Sequence, residues 1–218
     1  RDITVYGSLI PNTDTRFTVE HYYQNTTGEG YSLNETETKT GTTDKTVDLG
    51  TFAKATEGMS FEKSTVDGIT TESARIKGDG SLVVKMYYTR NVYTITFRIE
   101  NGEDSQKTYL FGQAIELPAA ASRAGYTFSG WKSDEALSEE FRLTAMPGRD
   151  ITVYGKYIPN SDTPYRVLHY QQNLTLDGYD LKEADDLTGI TDTATKAVAK
   201  DYTGFTAKAF EQDIISGD

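Results

Sequence analysis

The stretch Arg149-Asp150-Ile151-Thr152-Val153-Tyr154-Gly155 repeats, letter for letter, Arg1-Asp2-Ile3-Thr4-Val5-Tyr6-Gly7, an offset of 148 residues. Carried forward, the offset sets Ile10-Pro11-Asn12 on Ile158-Pro159-Asn160, His21-Tyr22 on His169-Tyr170, Gly30-Tyr31 on Gly178-Tyr179 and Gly41 on Gly189. Of the first 44 positions 26 are identical. Solenoid and propeller units repeat every 20 to 50 residues or so, so the repeating object here is a domain or a pair of domains.

Turn-favouring residues mark the joints. Pro11-Asn12-Thr13-Asp14-Thr15 and its counterpart Pro159-Asn160-Ser161-Asp162-Thr163-Pro164 each follow an apolar run, and a tighter junction lies at Thr89-Arg90-Asn91. The expected order is the tail of a B-type unit (1–11), an A-type unit (12–91), a B-type unit (92–158) and a second, incomplete A-type unit (159–218). The last residues, Ser216-Gly217-Asp218, resemble Lys77-Gly78-Asp79, after which the first copy continues into Leu82-Val83-Val84-Lys85-Met86-Tyr87-Tyr88. A copy without that strand is expected to show an open sheet edge. With Arg1 in first place, the chain reads as a piece of something longer.

Composition narrows the function. The 218 residues carry 33 Asp and Glu against 22 Lys and Arg, a net charge of -11, with no basic run to release counterions from a phosphate backbone, so nucleic acid is not an expected partner. There is no cysteine, which removes thiol nucleophiles, thiolate metal sites and disulfides together. No apolar stretch reaches the length of a membrane span. Fifteen tyrosines, with many Thr and Val, favour strands over helices.

Alternation places the strands. Phe17 to Tyr23 and Tyr165 to Tyr170 alternate with period two, and Leu82 to Tyr88 reads as a further, central strand. In 92–158, Tyr93, Ile95, Phe97 and Ile99 share a face opposite Thr94, Thr96, Arg98 and Glu100, and Asn101-Gly102 supplies a positive-φ turn back to Thr108-Tyr109-Leu110-Phe111. Gln113 to Ala124 holds one short helix or an irregular crossing. Tyr126-Thr127-Phe128 and Ile151-Thr152-Val153-Tyr154 are the third and fourth strands.

Gly125-Tyr126-Thr127-Phe128-Ser129-Gly130-Trp131, preceded by Gly112 and Pro118 and followed by Met146-Pro147 and Asp150-Ile151-Thr152-Val153-Tyr154, resembles the Listeria-Bacteroides repeat, also known as the internalin B-repeat. The resemblance covers 93–158 and departs from the family pattern at Ala119-Ala120-Ala121 and at Lys156-Tyr157. It implies a small β-grasp (ubiquitin-like) domain found in tandem on bacterial cell surfaces. The A-type units resemble mucin-binding-protein (MucBP) repeats through Val19-Glu20-His21-Tyr22, Gly30-Tyr31 and Gly41, and again through Val167-Leu168-His169-Tyr170, Gly178-Tyr179 and Gly189. The fold class expected is therefore α+β and β-dominated, tandem small β-grasp domains in an elongated array.

Candidate site residues have structural readings beside functional ones. Trp131, the one tryptophan, reads as the anchor of a small core. His21 and His169, one per unit, read as structural histidines, since a zinc site takes several ligands and no nucleophile motif accompanies them. Glu139-Glu140 and Asp185-Asp186 read as solvated charge, because glycoside hydrolysis needs two carboxylates at a set separation and calcium loops place acids at alternate positions with a glycine. Gly78-Asp79-Gly80 reads as a turn. Tyrosine offers rigid amphipathic contact area, which makes Tyr22, Tyr23 and Tyr170 the candidate ligand-binding residues, with Tyr87 and Tyr88 on the neighbouring strand.

The expected function is a non-enzymatic, extracellular repeat segment of a bacterial cell-surface or cell-wall protein, a stalk that projects a distal binding region. The alternative is an adhesin module that binds host mucin, glycan or extracellular-matrix protein through weak contacts multiplied by repetition. A more distant class is an accessory module of a large enzyme. Neighbouring repeats are expected partners, with no catalytic residue, cofactor, metal or membrane span in this stretch.

Overall fold

A computed structural model describes residues 2–217. They fall into two compact units, one of residues 2–96, 106–116 and 142–151, the other of residues 97–105, 117–141 and 152–217.

In the first unit, β1 (Thr15–Gln24) turns its odd-numbered residues inward, burying Phe17, Val19 and His21. Gly28 and Gly30, both at positive φ, make the turn into β2 (Tyr31–Gly41), which returns antiparallel to β1 with a bulge at His21/Tyr22. The short β3 (Thr46–Asp48) leads to a 3-10 helix, Leu49–Phe52, capped where Asp48 Oδ1 accepts from the Gly50 N–H at 2.9 Å. Next come β4 (Met59–Val66), β5 (Ile69–Thr70), β6 (Ser73–Arg75) and β7 (Val83–Arg90), with β6 pairing back on β3. The main sheet is ordered β2-β1-β7-β4-β5, with β7 central and parallel to β1 from Thr18↔Val83 to Tyr23↔Tyr88. One face carries the core of Phe17, Val19, Leu49, Met59, Ile76, Leu82, Val84, Met86 and Tyr88. Each such side chain contributes roughly 1.5 to 3 kcal/mol by leaving water.

The 92–158 segment contributes to both units. Its strands are β8 (Val92–Ile99), β9 (Ser105–Leu110), β10 (Tyr126–Phe128), β11 (Ile151–Gly155) and β12 (Tyr157–Pro159), in sheets ordered β11-β8-β9 and β10-β12. Asn101 takes φ of 58° at the turn after β8. The segment from Gln113 to Ala124 is the irregular crossing, and its helix alternative fails. Met146 N–H donates to Gln113 O at 2.8 Å and Ile115 N–H to Thr144 O at 2.9 Å, which holds the start extended, and Pro118 lacks the donor a helix interior needs. Among the described residues the one helical element is the 3-10 turn at Leu49–Phe52, so the chain is strand-dominated and the helical part of the expected α+β class is absent.

In the second unit, β13 (Thr163–Gln172) and β14 (Tyr179–Gly189) reproduce the β1–β2 hairpin, with a bulge at the equivalent His169/Tyr170. An Ala194↔Ile214 bridge stands where β3 meets β6, and Ile215 lies over Gly189 as Ile76 lies over Gly41. The sheet stops at two strands: among the described residues nothing pairs with the other edge of β13.

Candidate functional site

Polar contacts join residues on either side of the expected repeat boundaries. Where 12–91 meets 92–158, only Asn91 separates β7 from β8. Arg90 spans this junction: Nε donates to Gln24 O at 2.6 Å and Nη1 to Phe111 O at 2.8 Å. Asn91 N–H donates to Gly58 O and Phe111 N–H to Asn91 O, each at 2.8 Å. The Phe111 ring packs against the core of the five-stranded sheet. It does so over Gly58, where a Cβ would lie 2.2 Å from the ring and φ is +67°.

At the junction of 92–158 with the second A-type segment, Gly125 is the centre. Its carbonyl accepts from Thr191 Oγ1 at 2.7 Å and from the Asn160 N–H at 2.8 Å. A Cβ on Gly125 would stand 2.4 Å from Gly217 Cα and 2.8 Å from Thr191 Oγ1. The Tyr126 hydroxyl donates to Asp192, and Thr127 Oγ1 donates to Asn160 Oδ1 at 2.7 Å. Thr191, bonded also to Thr163 Oγ1 at 2.6 Å, is left 1% exposed. The sequence reading did not foresee these contacts; Gly125 stood out only as part of a motif. The identity of Thr43-Asp44 with Thr191-Asp192 was the available signal.

His21 and His169 occupy matching positions with different surroundings. His21 is fully buried, and its Nδ1 lies 2.9 Å from Tyr88 Oη. Tyr88 Oη also accepts from the Lys54 N–H at 3.0 Å, which ties the His21–Tyr88 pair to the segment after the 3-10 helix. His21 Nε2 has no hydrogen-bond partner, the nearest carboxylate oxygen being Glu37 Oε2 at 3.7 Å. His21 is structural but only half satisfied. Burial pulls its pKa below 6.5 and the Lys54 ammonium adds to this, against the pull of Glu37 and Glu35. Lys54 reaches Glu37 at 2.5 Å and Glu35 at 2.8 Å, and Lys39 and Lys54 together hold the Glu37 carboxyl down at about 2. In the second copy, His169 Nε2 meets Asp185 at 3.0 Å, and Lys200 bridges Asp185 at 2.5 Å and Glu183 at 3.0 Å.

The tyrosines separate. Tyr88 is core, and Tyr23 packs against that core with its hydroxyl 3.2 Å from Thr56 Oγ1. Tyr22 lies half-buried on the other face, stacked on Tyr87 at 5.3 Å, with Lys85 5.3 Å from its ring centroid and its hydroxyl donating to Glu20 at 2.9 Å. Tyr31 meets Tyr87 edge-on and bonds Glu62, which raises its pKa to about 12. Tyr170, the counterpart of Tyr22, is 53% exposed. Trp131 is the core anchor expected: its Nε1–H donates to Pro118 O at 2.9 Å and its ring meets Phe97 and Phe128 edge-on. The acidic pairs are spent on neighbours, Glu140 on Lys132, Asp186 on Arg166 and Asp185 on Lys200. Among the described residues no group of three acids or histidines could hold a metal ion, and no helix is long and apolar enough to cross a membrane.

Short sheets around a small aromatic core, joined through glycine contacts, define a strand-built repeat module. Residues 93–156 match the Listeria-Bacteroides repeat domain, and this segment belongs to that repeat family. Internalin H of Listeria monocytogenes serovar 1/2a is 34% identical over 83 residues, 35% of this chain and 15% of the relative. A protein of Evansella cellulosilytica named as a Gly-rich membrane protein is 32% identical over 107 residues, 46% of this chain and 12% of the relative. Another protein of that organism, named as a membrane protein, is 28% identical over 112 residues, 49% and 17% of the two chains. The chain thus spans less than a fifth of the length of each of these relatives.

Proposed function

We propose that the chain is a non-enzymatic repeat segment of a bacterial cell-surface protein, a spacer that holds a distal binding region away from the envelope. The tandem array of β-grasp-type units implied by the resemblance belongs to the same reading. One observation carries it: at both boundaries the flanking segments meet through paired backbone groups and glycine-dependent contacts instead of a free linker. A spacer needs joints of this kind, because a flexible linker lets end-to-end distance grow only as the square root of length. X-ray scattering from chains carrying one, two and three copies of the 148-residue period tests it. The maximum dimension should rise by a constant increment per copy. A sub-linear rise removes the spacer reading.

The second reading, an adhesin module for host mucin, glycan or extracellular-matrix protein, rests on the exposed Tyr170 with Leu168 exposed on the same strand. Multivalent display of the chain against such ligands, with Tyr22→Ala and Tyr170→Ala compared, tests it. Tyr23 belongs to this candidate set, but its ring packs on the core, so its removal would confound binding with stability.

A further inference from the structure

The joint around Gly125 has an uncovered counterpart. The second A-type segment receives the Gly125-Tyr126-Thr127 turn with Asn160, Thr191, Asp192 and Gly217. In the first A-type segment the same positions are Asn12, Thr43, Asp44 and Gly78, and their backbone is already set in the same form. Thr43 N–H donates to Asn12 O at 2.8 Å, as Thr191 N–H does to Asn160 O at 3.0 Å. Thr43 Oγ1 lies 2.6 Å from Thr15 Oγ1, as Thr191 lies from Thr163. Asp44 and Asp192 share the left-handed conformation, with φ of 66° and 64°, and donate their N–H groups to Ile76 O and Ile215 O. What differs is the cover. Thr191 is buried while Thr43 is half-exposed, and Gly217 is half-buried while Gly78 is open.

We propose that Asn12, Thr43, Asp44 and Gly78 form a docking surface whose occupant is the Gly-Tyr-Thr turn of another B-type repeat. The occupant is named by chemistry on both sides. Its carbonyl acceptor must approach the Thr43 hydroxyl, its tyrosine hydroxyl must reach the Asp44 carboxylate, and its first residue must be glycine, because at the covered joint a Cβ in that place would stand 2.4 Å from Gly217 Cα, the counterpart of Gly78. Asp44 now pairs with Arg75 Nε at 3.1 Å, an exposed ion pair worth little that the tyrosine would replace or share. The segment Asp2–Gly7 is identical to Asp150–Gly155, which comprises β11 and the residue before it, and stands where such a repeat would end. The proposal deepens the spacer reading by making each joint a repeated, self-similar interface. The two can fail separately, since scattering reports extension and the measurement below reports contact.

The test repeats residues 92–148 ahead of Arg1, which regenerates a B-type segment because residues 1–7 equal 149–155. In amide correlation spectra, Thr43, Asp44 and Gly78 should shift relative to the 218-residue chain, and the Thr43 amide should exchange with solvent at least tenfold more slowly. Gly125→Asp in the added copy alone should reverse both effects, while a second dispersed tryptophan indole N–H resonance in the same spectra shows that the added copy stays folded. Unchanged Thr43, Asp44 and Gly78 resonances beside a folded added copy overturn the proposal. Should the added copy not fold, the peptide of residues 122–129 is titrated at millimolar concentration into the 218-residue chain. Saturable shifts at those three residues support the surface, and their absence overturns it.

Discussion

His21 is fully buried with Nδ1 2.9 Å from Tyr88 Oη and no hydrogen-bond partner at Nε2, so a charged imidazole there would lack the solvation it has in water. The groups facing the ring are Tyr88 from β7, Glu35 and Glu37 from β2, and Lys54 after the 3-10 helix. The folded pKa lies below the unfolded value of 6.5, so as pH falls the unfolded chain takes up the proton first. The contribution of neutral His21 to stability is therefore complete above the unfolded pKa of 6.5 and declines as pH falls below it toward the lowered folded value. Urea midpoints between pH 7.5 and 5 should fall for the wild type and stay flatter for His21→Phe, and an equal slope in the variant refutes the assignment. Glu37 acts in a separate window. Its carboxyl, held at about 2, contributes stability that is present above about 4.5 and disappears between there and 2. The raised pKa of Lys54 reports the same ion pairs and is not a further contribution. Gly58→Ala should also be costly. A left-handed alanine loses roughly 1 to 2 kcal/mol and its methyl meets the Phe111 ring, so thermal unfolding should shift down by several degrees, and Phe111→Ala in the same chain should recover part of the clash.

Strands with period two were legible in the sequence, and those without it were not. β1 and β8 alternate because one face meets a core and the other meets water, and β7 read as central because its run is apolar and long. β3, β5 and β6 have two or three residues each, too few to carry a period, and the 3-10 helix shows only as Asp48 ahead of Leu49-Gly50. The helix alternative for Gln113–Ala124 gave way to backbone bonds from Gln113 and Ile115 to Met146 and Thr144, which hold the start of the segment extended. The contact of Gly58 with Phe111 was not legible, since the two are made neighbours only by the fold. At this scale Trp131→Ala should remove the support of Phe97 and Phe128 and lower stability of its unit by about 3 to 5 kcal/mol. Circular dichroism melts of the variant read this directly, and a loss under 1 kcal/mol would deny Trp131 its place as anchor. Met86→Ala, in the centre of the other core, should cost about 2 to 5 kcal/mol.

For the whole molecule, the net charge of -11 means that neighbouring copies repel over roughly 8 Å at physiological salt, so scattering at low ionic strength should show interparticle repulsion that disappears by about 0.5 M salt. A Gly-Ser insertion between Asn91 and Val92 should broaden the distance distribution obtained in the same experiment, because it separates Arg90 from Phe111 O. The parallel pairing of β1 with β7 bears on a further property. The chain enters the five-stranded sheet through β1 and leaves it through β7, and the two are hydrogen-bonded neighbours in register from Thr18↔Val83 to Tyr23↔Tyr88. Tension on the ends therefore slides one strand along the other and strains all of those ladder bonds at once, instead of opening them one by one like a zip. Rupture then requires the whole row to yield together, which gives the five-stranded sheet high resistance to pulling along the chain.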